Sequence, residues 1–348
     1  MPRLEHSKII QAPKKVAFAL QGGGTHGAFT WGVLDYILED GRLEIEGLSG
    51  TSAGAMNATA LLQGLLKDGP DGARRELRRF WECIQNQSYL SPLKPTFYNY
   101  FMGKPKLCNT PAYIMLNLLS DVFSPYESNP FGFNPLKSIL EEFFDFHALH
   151  QAKTPKLFLS ATHIATGKSK IFTEKDIKIE SLLASACLPF IFQAIEVDGE
   201  YYWDGGFMSN PPLHPLIHNC ETHDIIVIQL TQALREKLPT TSQEIIDRHK
   251  EITFNSCLVH EIRAIDFISK LVDRGMIKDK SVKSTHIHVI RNAQVFEQLE
   301  LSSALNADPA FLKFLFEAGR ATAYEWLDQH YNDIGVKTTA DLDKDFVV

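Results

Sequence analysis

Apolar residues along the chain form short continuous runs and longer stretches of helical spacing, and glycine-rich turns separate them. The first run, at 16–20, reads VAFAL and is typical of a buried parallel strand. After the turn at 22–27, apolar residues recur at helical spacing up to Gly41, and the unit then repeats with a strand near 43–48 and a helix from about 53 to 66. Two consecutive strand–turn–helix units predict a parallel sheet with both turns at its carboxyl edge.

The rest of the chain contains further predicted strands and ends in a mainly helical region. Predicted strands lie at 156–160, 169–173, 196–203 (a hairpin with a Val-Asp-Gly-Glu turn), 224–230 and 285–290, and predicted helices at 73–84, 179–187, 258–272 and 311–327. The fold class expected is a three-layer α/β/α fold with a mainly parallel central sheet. We expect a main domain at 14–231 and a mainly helical C-terminal extension at 232–348 packed on it.

Composition excludes several classes of protein. A net charge of −7 and a pI near 6.0, with no dense basic stretch, argue against nucleic acid as the main partner. The five cysteines are scattered and never form a C-x-x-C pair, which indicates free thiols in a reducing compartment and no metal site. No secretory h-region and no run of 18 uncharged apolar residues are visible, so the expectation is a cytoplasmic protein without a transmembrane segment.

The second glycine turn, Gly50-Thr51-Ser52-Ala53-Gly54, matches the G-x-S-x-G nucleophile elbow. Between a strand and a helix, its glycines permit the cramped backbone that presents a serine above the sheet. The helix that follows also directs its positive dipole end at the reacting oxygen. Ser52 is therefore the candidate nucleophile. The alternative is a purely structural serine at an ordinary helix N-terminus.

The first glycine turn has three competing interpretations: a dinucleotide phosphate loop, an oxyanion hole and a purely structural tight turn. Gly22, Gly23, Gly24 and Gly27 satisfy the G-x-G-x-x-G pattern of a dinucleotide phosphate loop. That interpretation needs an acidic residue at the end of the second strand, where the chain instead has the serine turn. We favour an oxyanion hole formed by the N–H groups of Gly22, Gly23 and Gly24 together with that of Ala53, and expect no organic cofactor or metal.

The third motif supplies a carboxylate. Asp204 precedes Gly205 and Gly206 at the end of the predicted hairpin, which returns the side chain to the rim of the sheet. Asp-Gly is ordinarily only a turn. A buried carboxylate that hydrogen-bonds a serine hydroxyl is also a general base, and with the other two turns it completes the minimum set for acyl transfer.

The three motifs, in this order and context, resemble those of the patatin-like phospholipases over residues 14–231. The resemblance implies a lipid acyl hydrolase with a Ser52–Asp204 dyad and an acyl-enzyme, acting without a cofactor on lipid or phospholipid at a membrane or micelle surface. It also implies a structural role for Ser185 near the site. The family usually carries Arg or Lys where this chain has His26, so anion attraction there is expected to be weaker and pH-dependent.

Two other functions stay open on sequence grounds. An α/β-hydrolase with a Ser–Asp–His triad needs a histidine after the acid, and those that qualify by order are His214, His218, His223, His260, His286 and His288. A non-catalytic lipid-binding protein on the same fold is the second.

Two further segments allow a functional and a structural interpretation. Aromatic loops suit either a lipid-facing lid or a small core under a long loop; they contain Phe97, Tyr98, Tyr100, Phe101, Phe131 and Phe133. The amphipathic helix at 258–272 suits the core or a dimer contact better than a membrane surface. The oligomeric state is not readable.

Overall fold

The computed structural model describes residues 12–88, 107, 110–235, 238–279 and 282–346. Its strands are β1 (Lys14–Leu20), β2 (Leu43–Gly50), β3 (Lys156–His163), β4 (Lys168–Thr173), β5 (Ile195–Val197), β6 (Glu200–Asp204), β7 (Asp224–Ile228) and β8 (His286–Ile290). Its helices are α1 (Gly27–Asp40), α2 (Ala53–Ser88), α3 (Pro111–Val122), α4 (Pro125–Ser128), α5 (Pro135–Phe143), α6 (Phe146–His150), α7 (Ile179–Ser185), α8 (His214–Asn219), α9 (Ser242–Asp273), α10 (Ala293–Phe296), α11 (Pro309–His330) and α12 (Leu342–Asp345).

The central sheet has the order β5-β6-β3-β2-β1-β7-β8, and β4 also pairs with β3. The five neighbouring strands β3, β2, β1, β7 and β8 pair in parallel. Strands β4 and β6 each pair antiparallel with β3, and β5 pairs antiparallel with β6. The expected mixed α/β fold with a mostly parallel sheet is confirmed. The Gly22–Gly24 and Gly50–Gly54 turns both follow the carboxyl ends of neighbouring parallel strands.

Each face of the sheet has its own hydrophobic core, which gives the three layers. Along β1, Val16, Phe18 and Leu20 enter the core shared with α1, α2 and α11. Ala17 and Ala19 enter the opposite core, shared with α8 and α9. A strand covered on both faces must be apolar at every position, which explains the continuous run in the sequence.

Local signals set the helix boundaries. Gly41 ends α1 in the left-handed conformation, with φ of 73°. Asp308 caps α11 by accepting from the N–H groups of Ala310 and Phe311. Helix α2 consists of two helical segments separated by non-helical backbone at Asp68 and Gly69, where Gly69 has a φ of 56°. The two segments correspond to the helices predicted at 53–66 and 73–84.

The residues after 231 complete both the sheet and one helical layer. Strand β8 pairs parallel with β7. Helix α11 crosses α1 so closely that a Cβ on Gly32 would lie 2.0 Å from the Phe316 carbonyl oxygen. The C-terminal region is helical, as expected. Its separation from the main domain at 231 stays a prediction.

Candidate active site

The three glycine motifs converge at one edge of the sheet. Leu20 and Gly50 are direct partners at the ends of β1 and β2, and β2 is flanked by β3, whose Ala161 pairs with Asp204. The turn after β1 passes very close to the serine, because a Cβ on Gly22 would lie 3.0 Å from the Ser52 Cβ. Only glycine allows this approach of backbone to side chain.

Ser52 has the backbone of a nucleophile elbow. Its φ is 52°, a left-handed conformation that a serine adopts only when its surroundings enforce it. The flanking glycines are sterically required, since a Cβ on Gly50 would lie 2.5 Å from the Gly54 carbonyl group, and one on Gly54 would lie 2.0 Å from the Leu20 oxygen. The Ser52 N–H donates to the Ser185 hydroxyl at 2.9 Å, so Ser185 has the structural contact that was expected.

Asp204 is buried and carries a perturbed carboxyl group. It is only 2% exposed, its Oδ1 accepts the Gly206 N–H at 2.7 Å, and the Ser52 side chain hydrogen-bonds to it. Burial raises the pKa of Asp204 from 3.8 to about 7, and the two hydrogen bonds oppose this without cancelling it. Such a group changes protonation near neutral pH, where a general base is most effective.

Close packing explains the two glycines after the acid. A Cβ on Gly205 would lie 2.4 Å from the Ser160 carbonyl oxygen, and one on Gly206 would lie 2.3 Å from the ring of Phe254 in α9. Larger residues would displace the loop that carries the carboxylate. The Asp-Gly-Gly sequence therefore does more than form a turn.

The N–H groups of the first glycine turn divide into used and available donors. Gly22 donates to the side-chain oxygen of Asn210 at 2.7 Å, so the structure leaves it no free donor, contrary to its expected place in the oxyanion hole. Within the described residues, no hydrogen bond is formed by the N–H of Gly23, Gly24 or Ala53. Gly23 and Ala53 are half-buried and Gly24 is exposed, so none of the three is sealed inside the core.

His26 does not have the surroundings of an anion-binding residue. Its ring is buried, its Nε2 lies 2.8 Å from the Ser303 hydroxyl, and it packs edge-on to Phe296 and Phe311. Burial lowers its pKa to about 4, so the ring is neutral at physiological pH. The structure thus gives no support to the expected pH-dependent attraction of an anion by His26.

The histidines that a triad would need lie elsewhere. His286 and His288 bind Asp224 at the start of β7, the opposite end of the sheet from Ser52. His214 lies beside Glu261, His223 contacts the Ser284 carbonyl oxygen, and His218 and His260 are exposed. In the described part of the chain, none of the six hydrogen-bonds Ser52 or Asp204.

The structure describes only part of the aromatic loops predicted from the sequence. Phe131 and Phe133 are 97% and 72% exposed, which agrees better with a surface role than with a small core. Phe97, Tyr98, Tyr100 and Phe101 lie outside the described residues. No described helix is both long and apolar enough to cross a membrane, and no described group of three or more His, Cys, Asp or Glu residues is arranged to hold a metal ion.

Sequence reasoning missed the polar residues that hold these turns. The Gln21 side-chain oxygen accepts from the N–H groups of Leu230 and Thr231, and its nitrogen donates to Asn255 at 3.0 Å. Thr51 shares the Ser209 carbonyl oxygen with Ser160. The Asn210-Pro211 pair is a weak sequence signal for a turn. Gln21, Thr51 and Ser160 are single polar residues that no sequence pattern marks.

Comparison with known proteins shows the family of the chain. The sequence profile of the patatin-like phospholipases matches residues 18–217, more than half of the chain. The chain belongs to the patatin-like phospholipase family. No curated protein matches the sequence significantly. Among solved structures, the crystal structure of VipD from Legionella pneumophila is similar at 15% identity and a TM-score of 0.39, over 92% of this chain and 67% of that one. The family match spans β1 to α8 and thus includes Ser52, Asp204 and both glycine turns.

Proposed function

We propose that this patatin-like chain is a serine lipid acyl hydrolase of the phospholipase A type that uses Ser52 and Asp204 as a dyad. The observation that carries the proposal is the buried Asp204 carboxyl group, whose pKa of about 7 and hydrogen bond to Ser52 suit a general base without a histidine. Family membership supports lipid hydrolysis in general.

In the first half of the reaction, Ser52 Oγ attacks the carbonyl carbon of the ester while its proton moves to the Asp204 carboxylate. The oxyanion accepts hydrogen bonds from the N–H groups of Gly23, Gly24 and Ala53, at the N-terminus of α2. The tetrahedral intermediate then collapses. The ester C–O bond breaks, and the leaving alcohol takes the proton from Asp204.

In the second half, a water molecule attacks the acyl-enzyme and gives a proton to Asp204. Collapse of the second intermediate breaks the bond to Ser52 Oγ, which recovers the proton, and releases the fatty acid. The exposed Phe131 and Phe133 support substrate taken from a lipid surface. A cytoplasmic location with peripheral association at such a surface is part of this proposal.

A p-nitrophenyl ester and a fluorophosphonate probe test the nucleophile. Ser52→Ala should abolish both turnover and labelling, with an unchanged circular dichroism spectrum. Ser49→Ala is the matched control, because Ser49 is fully buried within β2 and should keep both activities. Labelling that persists in Ser52→Ala, or that disappears in Ser49→Ala alone, would contradict the assignment. A lipid panel with mass spectrometry of the products then identifies the ester class, and wild-type protein that releases no fatty acid from any lipid contradicts the lipid assignment.

A further inference from the structure

The C-terminal region has no sequence motif of assignable role, yet it contacts most of the first glycine turn. Besides Asn255, Phe296 and Phe311, the contact is made by the 3-10 turn Leu301–Leu305. Gly24 faces this turn so closely that a Cβ would lie 2.2 Å from the Ala304 carbonyl oxygen. The Thr25 hydroxyl donates to the Ser303 carbonyl oxygen at 3.0 Å, and His26 Nε2 meets the Ser303 hydroxyl at 2.8 Å.

The Ser303 hydroxyl has one proton, which it donates to the Glu300 carbonyl oxygen at 2.6 Å. Its remaining role toward His26 is therefore that of acceptor, so His26 donates from Nε2. The neutral ring found here suits this arrangement, because one ring nitrogen carries a proton and no charge is buried. Ser303 is itself fully buried, and water does not compete for these bonds.

Each part of the glycine turn is thus anchored except the donors that the reaction needs. At the start of the turn, the Gln21 side chain hydrogen-bonds to Leu230 and Asn255. The Gly22 N–H donates to Asn210, and at the end of the turn Thr25 and His26 hydrogen-bond to Ser303. Gly23 and Gly24 lie between these anchors. Glycine backbones are the least restricted of all, so fixed neighbours are what keep their N–H groups in one direction.

We propose that Ser303 is a positioning residue for the oxyanion hole: acting through His26, the Leu301–Leu305 turn fixes the direction of the Gly23 and Gly24 N–H groups. This inference rests on the proposed function for its effect on catalysis, but the contact it describes can be measured independently. It also gives His26 a role unrelated to anion binding. The residues after 231 then belong to the catalytic unit.

The test compares two adjacent buried serines in the full-length protein. Ser303→Ala removes the acceptor for His26, whereas Ser302→Ala removes an acceptor for the Leu107 N–H and leaves the glycine turn untouched. In Ser303→Ala we expect amide hydrogen exchange in peptides covering 21–27 to rise about fivefold, the scale of one lost hydrogen bond. In Ser302→Ala the same peptides should exchange as in the wild type.

Steady-state kinetics on a p-nitrophenyl ester supply the second measurement. Ser303→Ala should lower kcat about tenfold with KM within about twofold, because the oxyanion forms only in the transition state. His26→Leu should match it, His26→Gln should retain most of the activity by keeping a donor near Nε2, and the double variant His26→Leu/Ser303→Ala should be no worse than either single one.

Three results separate this inference from the proposed function. Equal exchange in Ser303→Ala and Ser302→Ala, or effects of the single variants that multiply in the double one, would overturn the positioning role. If wild-type protein shows no Ser52-dependent turnover, the proposed function fails. The exchange comparison then still decides whether Ser303 fixes the turn.

Discussion

Replacing Asp204 with asparagine should make the protein inactive and, at alkaline pH, more stable. The carboxyl group is fully buried, and burial raises its pKa from 3.8 to about 7. The shift of about three units corresponds to about 4 kcal/mol at 1.36 kcal/mol per unit. The folded state loses free energy of this order when Asp204 is charged in its buried position.

The sign of the pH dependence follows from proton binding in the two states. Between pH 3.8 and about 7 the folded protein keeps a proton on Asp204 that the unfolded chain has released. The free energy of unfolding therefore falls as pH rises through this range, and the loss is complete above about pH 7. Asparagine cannot ionise, so Asp204→Asn removes this dependence. The gain at pH 8 should be below about 4 kcal/mol, since the hydrogen bonds from Ser52 and Gly206 are weaker to an amide than to a carboxylate.

Urea unfolding of the wild type and Asp204→Asn at pH 4 and pH 8 measures the difference directly. Other titrating groups, including His26, are common to both proteins and cancel in the comparison. We expect similar stabilities at pH 4, and greater stability of Asp204→Asn at pH 8. In parallel, kcat/KM of the wild type should fall about tenfold per unit below pH 7, and Asp204→Asn should lose at least about a thousandfold in turnover. Equal pH dependence of stability in the two proteins, or an activity midpoint near pH 4, would refute the reasoning.

Two further predictions concern the oxyanion hole and the choice between dyad and triad. Gly24→Ala should lower kcat about a hundredfold or more, because the new Cβ would lie 2.2 Å from the Ala304 oxygen. Gly41→Ala is the control at a similar positive φ with no atom within 4 Å; it should cost only stability, about 1 kcal/mol, and a kcat that falls equally in both variants would contradict the clash argument. Alanine at any one of the six candidate triad histidines should cost far less activity than Asp204→Asn. A single histidine as important as Ser52, measured on the same ester, would refute the dyad.

The sheet edge that holds the site was predictable because its signals are local. A strand buried on both faces is apolar throughout, as at β1, and Gly50 and Gly54 are required by contacts within a few residues or with the adjacent strand. The Asp198-Gly199 pair likewise predicted the hairpin that ends at Asp204, and both residues have the positive φ values that such a turn requires. Each of these features depends on residues close together in the sequence.

The partners across the fold were not predictable from one sequence. The strand at His286–Ile290 was expected, but nothing in its apolar pattern shows that it extends the central sheet beside β7. Asn210 and Ser303 each contribute one side-chain oxygen to a contact with a distant loop, and a single polar residue has no periodicity. The burial that lowers the pKa of His26 comes with contacts to Phe296, Ser303 and Phe311, which lie far along the chain.

The absence of a histidine from the proposed dyad makes the surroundings of the acid decisive. A solvated aspartate near its usual pKa is too weak a base to take a serine proton efficiently. Here the carboxyl group is buried, which raises its pKa to about 7. The two residues after it pack closely, Gly205 against β3 and Gly206 against Phe254 of α9. Phe254 and Ser303 both lie after residue 231, outside the part of the chain that carries the family motifs. The loop that follows Asp204 and the turn that carries the proposed oxyanion donors therefore both contact that C-terminal region.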